Sequence, residues 1–306
     1  MIIIDIHWSH VTVSDLSVNN KALKAQSCMV IPLEESLLDS DNNLKKELFV
    51  TLLGPELKKM PGAAVNITFS VLPAIASEHV MPYDKNQKKM SVMVRSKVFQ
   101  NLSPDEFFMD YRVIRTFNSE GSKKADMCSL ITYVTPKQLV EDSAKCLKQM
   151  GKKPAVFSVP QNNIYNFATR FLKKETLMVA DLDGKNITVH LLVLPDNMIT
   201  RTAEKREAVI DTGFFAMAGM QNNTQSELSD LMSKLIQFHS IKYPQRQLQA
   251  IYLMGGEADE SAQEELSQLT SVPVEIIDRT LFEKYLCGMK PQDMVYSIGA
   301  LLSDER

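Results

Sequence analysis

Glycine is scarce in this chain, with 11 in 306 residues, about half the usual share. Loops that cradle phosphate depend on glycine, because only a residue without Cβ lets several backbone N–H groups close on a ligand. There is no Walker-type loop, no GxSxG elbow and no cysteine-histidine pair with local support. The four cysteines, Cys28, Cys128, Cys146 and Cys287, are widely scattered and form no CxxC. That spacing excludes a metal knuckle or redox couple and suits free thiols in a reducing compartment. Long apolar runs are missing too: stretches such as 191–195 fall far short of the ~20 residues that a spanning helix needs. The first residues carry no basic segment, and Asp5 interrupts their apolar run, so no signal peptide is expected. Charge of one sign is also lacking. A net charge of −3 gives no global attraction to nucleic acid or to an anionic bilayer. Neither a nucleic-acid partner nor direct membrane insertion is therefore expected.

What is present is a repeat. Residues 1–16, MIIIDIHWSHVTVSDL, and 177–192, LMVADLDGKNITVHLL, align without a gap. In both, an apolar run leads to an acid (Asp5, Asp181), then a short polar stretch, then a β-branched triplet (Val11-Thr12-Val13, Ile187-Thr188-Val189). An apolar run that stops at a carboxylate reads as a buried strand, and the triplet as its returning hairpin partner. Two lobes of common design follow, with room in 306 residues for two cores. The two turns could face one cleft, each offering an acid to it.

Between the hairpins the pattern alternates strands and helices. A third strand is expected over 25–31, and a helix over 37–57 with Leu44, Leu48 and Leu52 on one face. Val65, Ile67, Phe69 and Val71 alternate as in a strand. From about residue 74 the texture changes. The sequence predicts a helix over 91–102, a strand over 107–113, a solvated loop over 118–126 and a strand over 129–134. A capping box at Thr135–Gln138 opens the next helix, which stops at Gly151. This reads as a small α+β insertion. A helix over 161–174 leads into the second hairpin. A second capping box at Thr224–Glu227 opens a helix that buries Leu228, Leu231, Met232, Leu235 and His239. A strand at 250–254 then ends on Gly255-Gly256, and a helix over 261–269, a strand over 272–277 and a helix over 291–302 finish the chain.

Two acid-tipped turns and a strand ending in Gly-Gly would suit a nucleotide: turn N–H groups on phosphate, each Asp holding water around Mg²⁺, and the glycine pair beside an adenosine. The bland readings stand beside this one. Asp5 and Asp181 could simply accept turn N–H groups, Gly255-Gly256 could be a tight turn, and Trp8, the only tryptophan, suits packing. His7 and His10 lack a third ligand at a recognisable spacing, so no metal site is expected, and beyond the two acids there is no candidate nucleophile or base.

The order of these segments resembles the actin-like superfamily, and within it the PilM family of type IV pilus assembly proteins, which is similar to the FtsA family. The resemblance is carried by TFSVLPAIASEHVMPY (68–83), VRSKVFQNLSPDEFFMDYRVI (94–114), the stretch from LITYVTPKQ to NFATRFL (130–172), IYLMGGEADESAQEELSQLTSVPVEIID (251–278) and VYSIGALL (295–302). It implies a two-lobed α/β fold, a duplicated ribonuclease H-like design with a small α+β subdomain inserted in the first lobe. The implied lobes are 1–73 with 153–175 and the returning 286–306, then the insertion 74–152, then 176–285.

The resemblance also implies a cytoplasmic scaffold held at the inner face of the inner membrane by a partner. That partner is a PilN-like single-span protein, gripped by its N-terminal cytoplasmic tail in a groove between the first lobe and the insertion. Candidate groove residues are Phe69, Val71, Leu72, Val92, Val94, Val98, Phe99 and Phe108. Pilus motor ATPases and self-association are further partners the resemblance allows. The ending LLSDER offers no basic amphipathic tail of the kind that would lie on a bilayer.

The nucleotide site departs from the family pattern. Where the first turn should run Asp-x-Gly-Ser, the glycine is His7, followed by Trp8 and Ser9. In the second turn the equivalent glycine is Asp183, with Gly184 one place later. On the adenosine side Gly255 and Gly256 remain, and Glu257 takes the third position. A carboxylate about 4 Å from phosphate is repulsive by roughly 1–4 kcal/mol in a wet cleft. A degenerate site without a bound cofactor is expected. The alternative is an ATP·Mg²⁺-binding actin-like ATPase or nucleotide-gated switch; a sugar-kinase relative is disfavoured by the same altered turns.

Overall fold

The computed structural model describes residues 1–19, 22–72, 74–120, 125–183, 186–194, 197–204, 223–277 and 291–302. In the first lobe, β1 (Ile2–Ile6), β2 (His10–Asn19) and β3 (Ala22–Pro32) form an antiparallel meander, followed by α1 (Lys46–Lys59) and β4 (Ala64–Phe69). The insertion contributes β5 (Ile75–Pro82), α2 (Gln87–Val98), β6 (Phe107–Phe117) and β7 (Met127–Pro136). The chain returns through α3 (Lys137–Gln149), β8 (Lys153–Ser158) and α4 (Pro160–Phe167), which runs on into a π-turn over Ala168–Leu172. The second lobe holds β9 (Thr176–Asp183), β10 (Asn186–Val193), β11 (Asn197–Glu204), α5 (Asn223–Lys242), β12 (Ala250–Met254), α6 (Glu260–Leu269) and β13 (Val274–Ile276). A 3₁₀ turn and α7 (Val295–Leu302) follow.

The repeat is real in space. The first sheet has the order β3-β2-β1-β4-β8 and the second β11-β10-β9-β12-β13. In each, an antiparallel hairpin is extended by two parallel strands. Even the register repeats: Asp5 pairs with Thr12 and Asp181 with Thr188. Two helices lie between the sheets, with α7 packed on β1, β2 and β4 and α4 on β10 and β11. Their shared core joins Ile3, Leu16 and Phe167 to Leu177, Val179, Tyr296 and Ile298. This explains why β4 is buried at its polar positions as well. Asn66 donates to the Ala300 carbonyl at 3.4 Å, and Thr68 accepts from Asn163 at 3.3 Å. The two helices meet backbone to backbone at Gly299, where a Cβ would lie 2.0 Å from the Asn163 carbonyl oxygen.

Several local expectations are corrected. The helix expected over 37–57 begins only at Lys46, because Leu38 bridges to Leu44 and Asp39 Oδ1 takes the Asp41 and Asn43 N–H groups. These bonds give the backbone an alternative to helix. Its buried stripe is Phe49, Leu53 and Leu57. α2 starts four residues early, on an Asn86 N-cap that accepts from the Lys88 and Lys89 N–H groups. β5 was missed, since its burial is almost entirely exposed and offers no alternation. The box at Thr135 does not form: Thr135 stays in β7, Pro136 caps α3 without a side-chain bond, and Gln138 donates to Asp142 instead. The side chains of the second box, at Thr224–Ser226, lie outside the described residues, but α5 buries Leu228, Met232, Leu235 and His239. α3 packs on α1 and β8, and its Leu139, Cys146 and Leu147 join the outer core of the first sheet rather than the insertion's own core.

Candidate functional site

β1 ends by carrying Asp5 into the cleft between the sheets, fully buried. Ser70, just past β4, donates to Asp5 Oδ1 at 2.5 Å, and the other oxygen lies 3.0 Å from His7 Nε2. The turn that follows is closed by the His7 N–H on the His10 carbonyl at 2.9 Å. Closure stacks the two imidazoles, with centroids 4.3 Å apart and planes within 9°.

The second lobe meets this turn directly. Asp183, at the end of β9, places Oδ2 3.6 Å from His7 Nδ1 and Oδ1 3.7 Å from His10 Nδ1. Ser9 Oγ donates to Asp183 Oδ1 at 2.6 Å and lies 2.9 Å from His10 Nδ1. Two residues earlier on β9, Asp181 accepts from Tyr296 of α7. The Tyr296 hydroxyl is 3.1 Å from His190 Nε2, whose Nδ1 is 2.9 Å from Thr200. Gly255 closes the far side. It has φ +93°, and a Cβ there would sit 2.7 Å from both Asp181 Oδ1 and the Leu182 carbonyl, so only glycine fits.

Burial and charge oppose each other across this cluster. Burial alone would push the His7 imidazolium down, but the carboxylates of Asp5, Asp181 and Asp183 outweigh it and hold its pKa at about 9. Burial raises Asp181 to about 7, against the pull of His7 and with help from Asp183. His10 falls to about 4, through burial and the neighbouring His7 charge. Burial also raises the Tyr296 hydroxyl well above its usual range, with the Asp181 carboxylate adding to the rise.

Of the residues singled out from the sequence, Asp5, His7, Ser9, Asp181, Asp183 and Gly255 converge here. Gly184 lies outside the described residues. Gly256 and Glu257 are exposed, although the Glu257 N–H donates to the Leu182 carbonyl at 3.0 Å. Sequence reasoning gave no site role to Ser70, Tyr296 and His190, although each lies in a segment that it singled out, and set His10 aside for want of a third ligand. The fold brings a candidate third donor beside His7 and His10, Asp183 from the other lobe. A polyphosphate does not fit these residues. The His7 ring is 4% exposed between Asp5 and Asp183, and among the described residues no Lys or Arg pairs with the three carboxylates.

The second candidate surface lies elsewhere. β6 and β8 are edge strands of their sheets, and between them runs a cavity of about 520 Å³. Phe108, Met109, Tyr111 and Arg112 line one side, Phe157 and Val159 the other, and Val140 of α3 the floor. Only Phe108 of the expected groove residues lines it. Phe69 and Val71 are buried in the first lobe, and Val94 and Val98 in the insertion, because their apolar periodicity served those cores. Leu72 and Phe99 are half-buried away from it, and Val92 is exposed on α2.

Among the described residues no helix is long and apolar enough to cross a membrane. No protein-family model and no curated protein sequence matches the chain. Solved structures do. A PilM-PilN type IV pilus biogenesis complex matches at TM-score 0.74 and 16% identity, covering 99% of this chain and 98% of that one. A Bacteroides thetaiotaomicron protein with an actin-like ATPase fold and unknown function matches at TM-score 0.52 and 14% identity, covering 99% and 95%. The chain therefore has the two-lobed actin-like fold, in the form seen in a PilM-PilN complex.

Proposed function

We propose that this protein is a PilM-like scaffold for type IV pilus or related secretion assembly. It grips the N-terminal cytoplasmic tail of a PilN-like single-span inner-membrane protein and is held at the inner face of that membrane through it. The observation that carries the reading is the groove between the free edges of β6 and β8, in a fold that superposes over 99% of its length on a PilM-PilN complex. An edge strand offers unpaired N–H and C=O groups to an extended peptide, and apolar pockets beside it select alternate side chains. Phe108, 45% exposed in the apolar wall, is the natural anchor. The nucleotide site is degenerate in this reading, and the role is that of a scaffold. The cleft between the lobes is spanned by the His7–Asp183 contacts instead.

The test is fluorescence anisotropy with a labelled peptide copying the N-terminal tail of a single-span protein encoded beside this one. Phe108→Ala should weaken binding about tenfold or more, as loss of an aromatic anchor does. Val92→Ala, on the outer face of α2, should leave it unchanged. Equal affinities for wild type and Phe108→Ala would remove the groove from the account.

A further inference from the structure

We propose that His7, His10 and Asp183 form a binding site for one divalent transition-metal ion, of the Zn²⁺ class, that ties the two lobes together. The donors are two imidazoles from the first turn and a carboxylate from the second lobe, with one ligand atom of each inside a 4.8 Å group. A tetrahedral ion with bonds of about 2.0–2.1 Å holds its ligands roughly 3.4 Å apart. His7 Nδ1 already stands 3.6 Å from Asp183 Oδ2.

The contacts choose the nitrogen. With Nε2 held by Asp5 Oδ2 at 3.0 Å, His7 Nδ1, 3.6 Å from Asp183 Oδ2, is the nitrogen that an ion would take, displacing the proton that the imidazolium carries there. Asp5, itself fixed by Ser70, then takes the part of the outer carboxylate that orients a metal-bound histidine.

On the His10 side, Ser9 gives its proton to Asp183 and so accepts from His10 Nδ1. His10 Nε2 is left buried with no hydrogen-bond partner, and Asp183 Oδ2 has only its 3.6 Å contact with His7. A buried nitrogen lone pair without a partner is costly unless an ion or a proton donor meets it. The parallel rings must fan apart about their side-chain torsions for both lone pairs to reach one ion.

Charge points the same way. Asp5, Asp181 and Asp183 are each less than a tenth exposed, and among the described residues no Lys or Arg pairs with them. One imidazolium balances one carboxylate of three, whereas a divalent ion balances two. Mixed imidazole and carboxylate donors select Zn²⁺, Co²⁺ or Ni²⁺ over Mg²⁺, which prefers oxygen and keeps its waters.

The experiment uses the full chain, stripped with chelator and then given Zn²⁺ or Co²⁺ alone. One ion per chain is expected to survive gel filtration by elemental analysis, and Co²⁺ should give the visible bands of a four-coordinate site. Asp183→Asn and His10→Gln should each abolish both signals, and Asp5→Asn should lower Zn²⁺ affinity about 10–100-fold. If His10→Gln fails to fold, Asp183→Asn, which keeps its bond with Ser9, carries the test. Substoichiometric Zn²⁺, stoichiometric Zn²⁺ unchanged in Asp183→Asn, or ready displacement by excess Mg²⁺ would each overturn the proposal. Tail-peptide affinity reads a different surface, so its failure and this one are told apart.

Discussion

The cleft between the lobes and the groove between β6 and β8 have opposite characters. The cleft is where two acid-tipped hairpins converge, and it is filled from within by His7, Ser9 and Asp183. The groove is open, mostly apolar and walled by two strands whose outer edges have no partner strand among the described residues. Side chains that already fill a cleft leave no room for a bulky ligand, whereas an unpaired edge beside exposed apolar surface offers one a place to lie. The duplicated architecture persists at the cleft as a joint, and the proposed partner site lies at the rim of the insertion.

The sharpest way to break this contrast is at the element both regions share. Gly299 sits where α7 crosses α4, and a Cβ there would meet the Asn163 carbonyl oxygen at 2.0 Å and its carbon at 2.5 Å. Backbone cannot yield as a side-chain tip does. Gly299→Ala should cost more than about 4 kcal/mol, the range reserved for severe overpacking. Against a typical total of about 5–15 kcal/mol, that means little soluble protein and a collapsed urea midpoint. A midpoint near that of wild type would show that the two helices can slide apart, and the joint would then be a hinge.

A smaller effect separates the cleft from the groove by pH. His190 is fully buried, and burial lowers its pKa from 6.5 to about 3. It faces the Tyr296 hydroxyl from α7 and Thr200 from β11, neither of which is a charged partner. The unfolded chain therefore takes up this proton first, so the contribution is complete above about pH 6.5 and drains as pH falls toward 3. Its size is on the order of a few kcal/mol. Urea titrations between pH 7 and 4 should show the loss, and His190→Gln should flatten the slope. An unchanged slope in that variant would assign the acid sensitivity to other groups.

The fold was largely legible, and the reason is the repeat. An ungapped match between 1–16 and 177–192 predicts that residues 5 and 181 occupy equivalent places, and their pairings with Thr12 and Thr188 agree. Periodicity was less reliable where two surfaces compete for the same residues. Val94 and Val98 look like groove residues in the sequence, but they face the insertion's own core. β5 was invisible because an exposed strand carries no alternation. At the site, both acids and both altered glycine positions could be read directly. Tyr296 and His190 could not, since their roles depend on α7 passing between the sheets, a contact that no local pattern encodes. The same limit concealed how close Asp183 comes to the two histidines.

The smallest expected effect is the most discriminating. Millimolar ATP·Mg²⁺ should leave the melting temperature of this protein unmoved. A ligand held at 100 times its Kd adds about 2.7 kcal/mol to the native state, which would appear as a rise of several degrees. Two side chains stand in the way, the ring of His7 and the carboxylate of Asp183, both at positions where the actin-like pattern has glycine. If they alone exclude phosphate, replacing both (His7→Gly with Asp183→Gly) removes the obstruction, taking out the Asp183 carboxylate and the His7 imidazolium together, and a thermal shift with ATP should appear. Gly255 still keeps the far wall clear. No shift in the double variant would mean that the loss is spread beyond the two turns. A shift in the wild type would mean that the lobes part easily enough for the cleft to admit a nucleotide, and the filled joint would then be a closed gate.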